Sequence, residues 1–213
     1  MNRLAKDLIF AHQRRWPNRP ASWVSRCWLL ASSPGLRLML IHRIIFWLNA
    51  QRRRGGWRAK FGKLALIPLL LPKWVVQVNA KSEIPCGIAV DIDIDGGVSV
   101  PDQGHIIFGP KKVGSGTVIG LRVTVGRGLA DGGRPEIGRN VWIGSDCVVY
   151  GGIRIGDGAT LLPGTVLTKN IPANIVMQGN PARVVWRDFD NAVLRARPDV
   201  DALQYVVAAM REN

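Results

Sequence analysis

The chain reads as a mainly β protein: a parallel β-helix over residues 81–186, an α-helical lead-in over residues 1–80, and a short helical tail over residues 187–213. Three observations predict this: an unbroken six-residue period, a strong imbalance of charge and tryptophan towards the N-terminus, and a helical pattern where the period stops. Six frames run without a gap from Ile137: Ile137-Gly-Arg-Asn-Val-Trp, Ile143-Gly-Ser-Asp-Cys-Val, Val149-Tyr-Gly-Gly-Ile-Arg, Ile155-Gly-Asp-Gly-Ala-Thr, Leu161-Leu-Pro-Gly-Thr-Val and Leu167-Thr-Lys-Asn-Ile-Pro. The same register recurs upstream at Val113, Ile119 and Val125. A six-residue period fits neither a helix nor simple strand alternation; it fits a coil whose frames each supply one flat side and one corner. The first residue of each frame should point inward, the fifth should pack beside it, and glycine or asparagine should take the corner.

Composition bounds the lead-in. At 213 residues the chain can bury a real core, as one compact domain or a domain with a helical extension. Residues 1–80 hold 15 Lys or Arg against one acid, Asp7, so the whole net charge of +14 lies there. Trp16, Trp23, Trp28, Trp47, Trp57 and Trp74 lie there too. Basic residues interleaved with Trp, Leu and Ile suit an anionic membrane surface, where each cation contributes about 1 kcal/mol. Leu36, Leu40, Ile44 and Trp47 make one helical stripe, with Arg37 and Arg43 off it. A basic patch also attracts nucleic acid, but no groove-reading motif accompanies this one, so none is expected.

The apolar segment from Leu64 to Val78 is interrupted by Pro68, Pro72 and Lys73 and falls short of the roughly 20 residues of a spanning helix. It reads as a buried link or a shallow re-entrant segment. Lys6 and Asp7 break the apolar run a signal peptide would need. Cys27, Cys86 and Cys147 lack metal-ligand spacing, and Cys147 sits at a core position, so a reduced, cytoplasmic location is expected. Beyond Val185 the patterns at Val193-Leu-Arg-Ala and Leu203 to Met210 predict helix against the last coil or a neighbouring subunit.

The frames resemble those of the hexapeptide-repeat acyltransferases, and the resemblance implies a left-handed coil. The ending Ile171-Pro172-Ala173-Asn174, then Gly179-Asn180-Pro181-Ala182-Arg183-Val184, is similar to the last coil of acetyl-CoA-dependent members. With Leu40-Ile41-His42-Arg43-Ile44 and Glu83-Ile84-Pro85, the likeness covers residues 32–186 and points to the serine acetyltransferase branch and its relatives in bacterial polysaccharide synthesis.

Acetyl transfer to a hydroxyl needs a base, an oxyanion stabiliser and a groove that aligns the pantetheine arm. By the resemblance, the carboxylate that orients the base falls on Glu83, the first histidine on Asp102 with His105 three residues later, and the second histidine on Arg134. Gly133 and Pro101 also depart from the branch, which weighs against free serine as substrate. His105 is the candidate base, because histidine changes charge near neutral pH, with Asp102 or Glu83 to orient it. Asp102 could itself be the base if burial raised its pKa, and otherwise the site is inactive. His42 reads as structural. Arg134 is the candidate for an acidic substrate group or the oxyanion.

For acetyl-CoA the matching positions are Gly144, Ser145, Pro163, Gly164, Lys169, Gly179 and Arg183, in a groove completed between subunits of a homotrimer. The expected function is an acetyl-CoA-dependent O-acetyltransferase acting at the cytoplasmic face on a sugar hydroxyl of a lipid- or nucleotide-linked surface-polysaccharide precursor. Serine O-acetyltransfer and a non-catalytic scaffold are the alternatives. No metal is expected: a zinc site of the coil-type carbonic anhydrases needs three histidines, and the coils offer His105 alone.

Overall fold

The computed structural model describes residues 3–53, 86–88, 91–128, 132–198 and 200–212. The six-residue frames fold as a coil with three flat sides, each a stack of short strands. Side A stacks β1 (Cys86–Ile88), β3 (Ile106–Phe108), β6 (Thr124–Gly126), β9 (Val148–Tyr150) and β12 (Val166–Leu167). Side B stacks β2 (Asp93–Ile94), β4 (Lys112–Val113), β7 (Glu136–Ile137) and β10 (Arg154–Ile155). Side C stacks β5 (Val118–Ile119), β8 (Trp142–Ile143), β11 (Thr160–Leu161), β13 (Val176–Gln178) and β14 (Arg183–Trp186). Each contact between coils is parallel, such as Ile143 beside Leu161; β13 and β14 close the stack as an antiparallel pair.

The frame positions sort by depth as the period predicts. First-position Ile143, Val149 and Leu161 and fifth-position Val141, Cys147 and Ala159 are wholly buried. Each large aliphatic side chain so buried contributes roughly 1.5–3 kcal/mol against its entropy cost. Burial also pushes the Cys147 thiol up to about 11, so it remains an inert core group. The fourth position is the left-handed corner: Gly116, Arg122, Asn140, Asp146, Gly158 and Gly164 have φ between 52° and 75°. Arg122 and Asp146 exceed the expected glycine or asparagine, and they are bonded to each other across adjacent coils, Nε to Oδ1 at 2.6 Å.

The three sides present different outward rows. On side B, Asp93, Lys112, Glu136 and Arg154 alternate in sign up the stack. On side A the row is Ile107, Thr124, Val148 and Val166, without a charge. Ile107 is 49% exposed. Side C is covered by the tail: α4 (Ala192–Ala196) and α5 (Ala202–Glu212) bring Leu194, Ala202 and Val206, with Phe189, onto Leu162 and Val176. Asn191 anchors this cover, its Nδ2 donating to the Asn140 and Gly158 carbonyls at 2.9 and 3.0 Å.

At the other end, α1 (Arg3–Arg15), α2 (Trp23–Ser32) and α3 (Pro34–Arg53) pack together. Ser22 and Ser25 cap α2 reciprocally, side chain to backbone at 3.1 Å each way. α3 opens with Pro34 at its first turn, where a missing N–H costs nothing. Gly35 follows because a Cβ there would lie 2.7 Å from the Val100 carbonyl: the helix start sits on the first coil. The inward face of α3 is Leu36, Met39, His42 and Ile45, rotated from the stripe read in the sequence; Trp47 is 59% exposed. The rotation follows Arg43, which the sequence placed on the wet face. It bonds Asp7 through Nε and Nη2 and donates to the Ile94 and Asp95 carbonyls at 2.9 and 2.8 Å. Asp7, wholly buried, also accepts from the Gly97 N–H at 2.7 Å.

No single helix among the described residues is long and apolar enough to cross a membrane; α2 and the start of α3 pass together by composition but meet at a 95° bend. The Leu64–Val78 segment lies outside the described residues.

Candidate active site

Four of the expected cofactor positions, Ser145, Pro163, Gly164 and Gly179, meet at the corner that leads from side C to side A. Leu121–Arg122, Ser145–Asp146 and Pro163–Gly164 stack there as successive rungs, through Asp146 N–H to the Leu121 carbonyl and Gly164 N–H to the Ser145 carbonyl, both 2.9 Å. The Gly179–Ala182 loop is the next rung: the Gly179 carbonyl accepts from Val166 N–H at 3.0 Å, and Ala182 N–H donates to the Val166 carbonyl at 3.1 Å. Pro163 and Gly164 are exposed, and a Cβ on Gly164 would meet nothing within 4 Å, so this edge is open and small. Gly144 differs. It is buried, and a Cβ there would come 2.8 Å from the Leu161 carbonyl, so coil stacking by itself demands glycine. Ser145 accepts from Leu121 N–H at 3.2 Å. Lys169 is exposed past β12, at the corner from side A to side B, and Arg183 is exposed at the start of β14.

His105 belongs to the same corner one coil lower. Ile107 pairs with Thr124 and Thr124 with Val148, so His105, Arg122 and Asp146 occupy equivalent positions on successive coils. His105 is exposed. Above it, the Arg122–Asp146 pair holds the Asp146 carboxyl below the usual carboxylate range. Neither residue was singled out in the sequence, although both occupy the fourth frame position and could be found by stacking the frames.

Asp102 is bound to the start of α3. Its Oδ1 accepts from the Ser33 hydroxyl at 2.5 Å and from the Gly35 N–H at 2.9 Å, which makes it a cap for α3. Glu83 lies outside the described residues. Arg134 is at the corner from side A to side B, where all three guanidinium nitrogens are engaged. Nη1 bonds Asp91 at 2.6 Å, Nε the Gly109 carbonyl at 2.8 Å and Nη2 the Pro110 carbonyl at 2.6 Å. The Arg134 hydrogen bond is the main cause of a lowered Asp91 pKa. The arginine thus ties the loop after β6 to the coil beneath. Among the described residues no cluster of His, Cys, Asp or Glu is placed to hold a metal ion.

Residues 134–169 match the bacterial transferase hexapeptide family, described as six repeats. The chain is 30% identical over 166 residues to a serine acetyltransferase of Synechococcus elongatus, covering 75% of this chain and 60% of that enzyme. It is 49% identical over 49 residues to the galactoside O-acetyltransferase of Escherichia coli, covering 23% of this chain and 24% of that enzyme. In fold it is similar to a serine acetyltransferase of Brucella abortus solved with coenzyme A, at a TM-score of 0.55 and 20% identity, over 86% of this chain and 68% of that one. The chain therefore spans about 60% of the first of these relatives and a quarter of the second. It carries the bacterial transferase hexapeptide repeat, and these relatives by sequence are acetyltransferases.

Proposed function

We propose that the protein transfers acetyl from acetyl-CoA to a hydroxyl group, on a left-handed coil assembled as a homotrimer. The observation that carries this is the open corner of small residues, Ser145, Pro163–Gly164 and Gly179, rising in line with His105. The pantetheine arm lies along these rungs, and exposed Lys169 and Arg183 meet the phosphates. His105 takes the hydroxyl proton, the freed oxygen attacks the thioester carbonyl, the carbon–sulfur bond breaks, and the CoA thiolate leaves. Arg134 keeps the acceptor side in shape by holding the Gly109–Pro110 corner. A trimer suits side A, which the tail leaves uncovered and whose outward row, unlike that of side B, is uncharged. The basic, tryptophan-rich helices suit the cytoplasmic surface of an anionic membrane, with exposed Trp23 and Trp28 as anchors.

Serine is the acceptor that the relatives support best, since the long match in sequence and the match in fold are both serine acetyltransferases. A sugar hydroxyl of a polysaccharide precursor is the second reading. It is favoured by Arg134, which replaces the second histidine of the resembled branch and is fully engaged by Asp91 and two carbonyls.

Calorimetry with acetyl-CoA should find a site that Lys169→Ala and added salt weaken, and CoA release should follow addition of serine or of an acceptor sugar. Absence of binding at millimolar acetyl-CoA would leave the non-catalytic scaffold as the function. Release with sugars and none with serine would select the second acceptor.

A further inference from the structure

We propose that the cavity between α1, α2 and the first coil binds a small molecule through a carboxylate or phosphate group held by Arg14. The cavity has a volume of about 270 Å³ and is lined by Arg14, Arg15, Trp28, Ser33, Ser99 and Asp102 among others. That is just under the ~300 Å³ at which drug-sized pockets begin, so it suits a metabolite or a head group. The rungs at Ser145, Pro163 and Gly179 do not line it, and the proposal does not depend on acetyl transfer.

Arg14 is a partly buried cation with an incomplete set of partners. Arg14 Nη1 donates to the Ser99 hydroxyl at 2.6 Å, while its Nε is buried with no hydrogen-bond partner. Among the described residues no carboxylate forms an ion pair with it; the nearby Asp102 is bonded instead to Ser33 and Gly35. Burial lowers the Arg14 pKa, and the Asp102 charge opposes that shift. Arg43 and Arg134 show what completion looks like: each has a carboxylate and two backbone carbonyls on its guanidinium. Arg26 and Arg37 also leave Nε unpartnered, but neither lines this cavity.

A guanidinium held largely out of water on one neutral hydroxyl is unfavourable, because it has lost hydration while the nearest carboxylate, Asp102, makes no direct ion pair with it. Its flat fork matches the two oxygens of a carboxylate or phosphate. Here the Ser99 hydroxyl, which accepts from Arg14 and keeps its own proton, stands by as a further donor, and Arg15 adds a second positive charge. Trp28 and Leu29 offer an apolar wall for the body of the ligand. The same head-group chemistry occurs on soluble metabolites and on lipids, and the test must tell them apart.

Full-length protein would be followed by thermal unfolding and calorimetry with inorganic phosphate, with citrate, and separately with vesicles containing phosphatidic acid. Wild type should be stabilised by at least one probe, and Arg14→Gln should weaken that binding at least tenfold. Without any probe, Arg14→Gln should unfold at the same temperature as wild type or higher, since it removes a partly buried cation that has no direct ion pair. Lys169→Ala, and saturating CoA, should leave the response intact. A response to phosphate or citrate assigns a soluble ligand; a response to vesicles alone assigns a lipid head group. Equal responses in wild type and Arg14→Gln, or none with any probe, overturn the proposal. So does a fall in unfolding temperature for unliganded Arg14→Gln, which would make the arginine a structural member of the bundle.

Discussion

His105 and Asp102 lie three residues apart, but one faces solvent at an open corner and the other caps a helix through Ser33 and Gly35. Substitution should separate them in two measurements. His105→Ala should lower turnover roughly 10²–10⁴-fold, the usual contribution of a positioned acid–base group, with acetyl-CoA affinity and unfolding temperature nearly unchanged. Asp102→Ala should cost about 1 kcal/mol of stability through the lost cap, with a smaller loss of turnover. Steady-state kinetics beside urea unfolding gives both numbers. If Asp102→Ala cost more turnover than His105→Ala, Asp102 would be the base. Histidine was legible as a candidate from residue type. The capping role of Asp102 was not, because its partners are 67 and 69 residues away in the chain.

At the scale of elements, the lead-in helices are joined to the coil by one buried ion pair. Asp7 of α1 and Arg43 of α3 bond each other, and between them they bind the Gly97 N–H and the Ile94 and Asp95 carbonyls. Arg43→Ala should therefore destabilise by about 3–5 kcal/mol, since it leaves a carboxylate buried without its cation. The double change Arg43→Ala with Asp7→Ala should be less damaging than the two single losses summed. Urea denaturation of the four proteins checks this; strict additivity would mean that the pair does not couple α1 to α3. The helical stripe of α3 was misread by one register for the same reason. Hydropathy ranks Arg43 as a surface residue, and the lone acid of the N-terminal segment is what draws it inward.

At the scale of the whole molecule, the three sides of the coil differ in what they leave exposed: alternating charges on B, the tail on C, and an uncharged row on A. If side A is the trimer contact, wild type should sediment as three chains. Ile107→Asp should then shift it to monomer, with an unchanged far-ultraviolet circular dichroism spectrum. A monomeric wild type would remove the trimer from the reading. The excess of 15 basic residues over one acid in residues 1–80 leads to a second test. Vesicles with anionic lipid should sediment the protein, neutral ones should do so poorly, and 0.5 M salt should release most of it, because the Debye length falls to about 4 Å. Replacing exposed Trp23 and Trp28 by serine should weaken the pull-down further. Equal recovery with neutral and anionic vesicles would rule out the charge mechanism.

The six-residue period by itself determined the coil, since inward first and fifth positions recur locally and every turn buries the same kind of residue. It also predicted a glycine or asparagine corner in each frame, but only the structure showed that the fourth position makes it, since the second-position glycines have no positive φ. The small residues of the cofactor corner were readable only through the resemblance to the hexapeptide-repeat acyltransferases, which supplied the positions to match. What the tertiary structure alone decided involves partners far apart in the chain. It made Asp102 a helix cap, turned Arg134 into a tie between coil corners, and sorted the three sides into charged, covered and bare. It also left Arg14 beside a cavity with its fork half used. Hydrogen bonding and burial of a charged group depend on what surrounds it in space, and residue type and spacing carry no record of that.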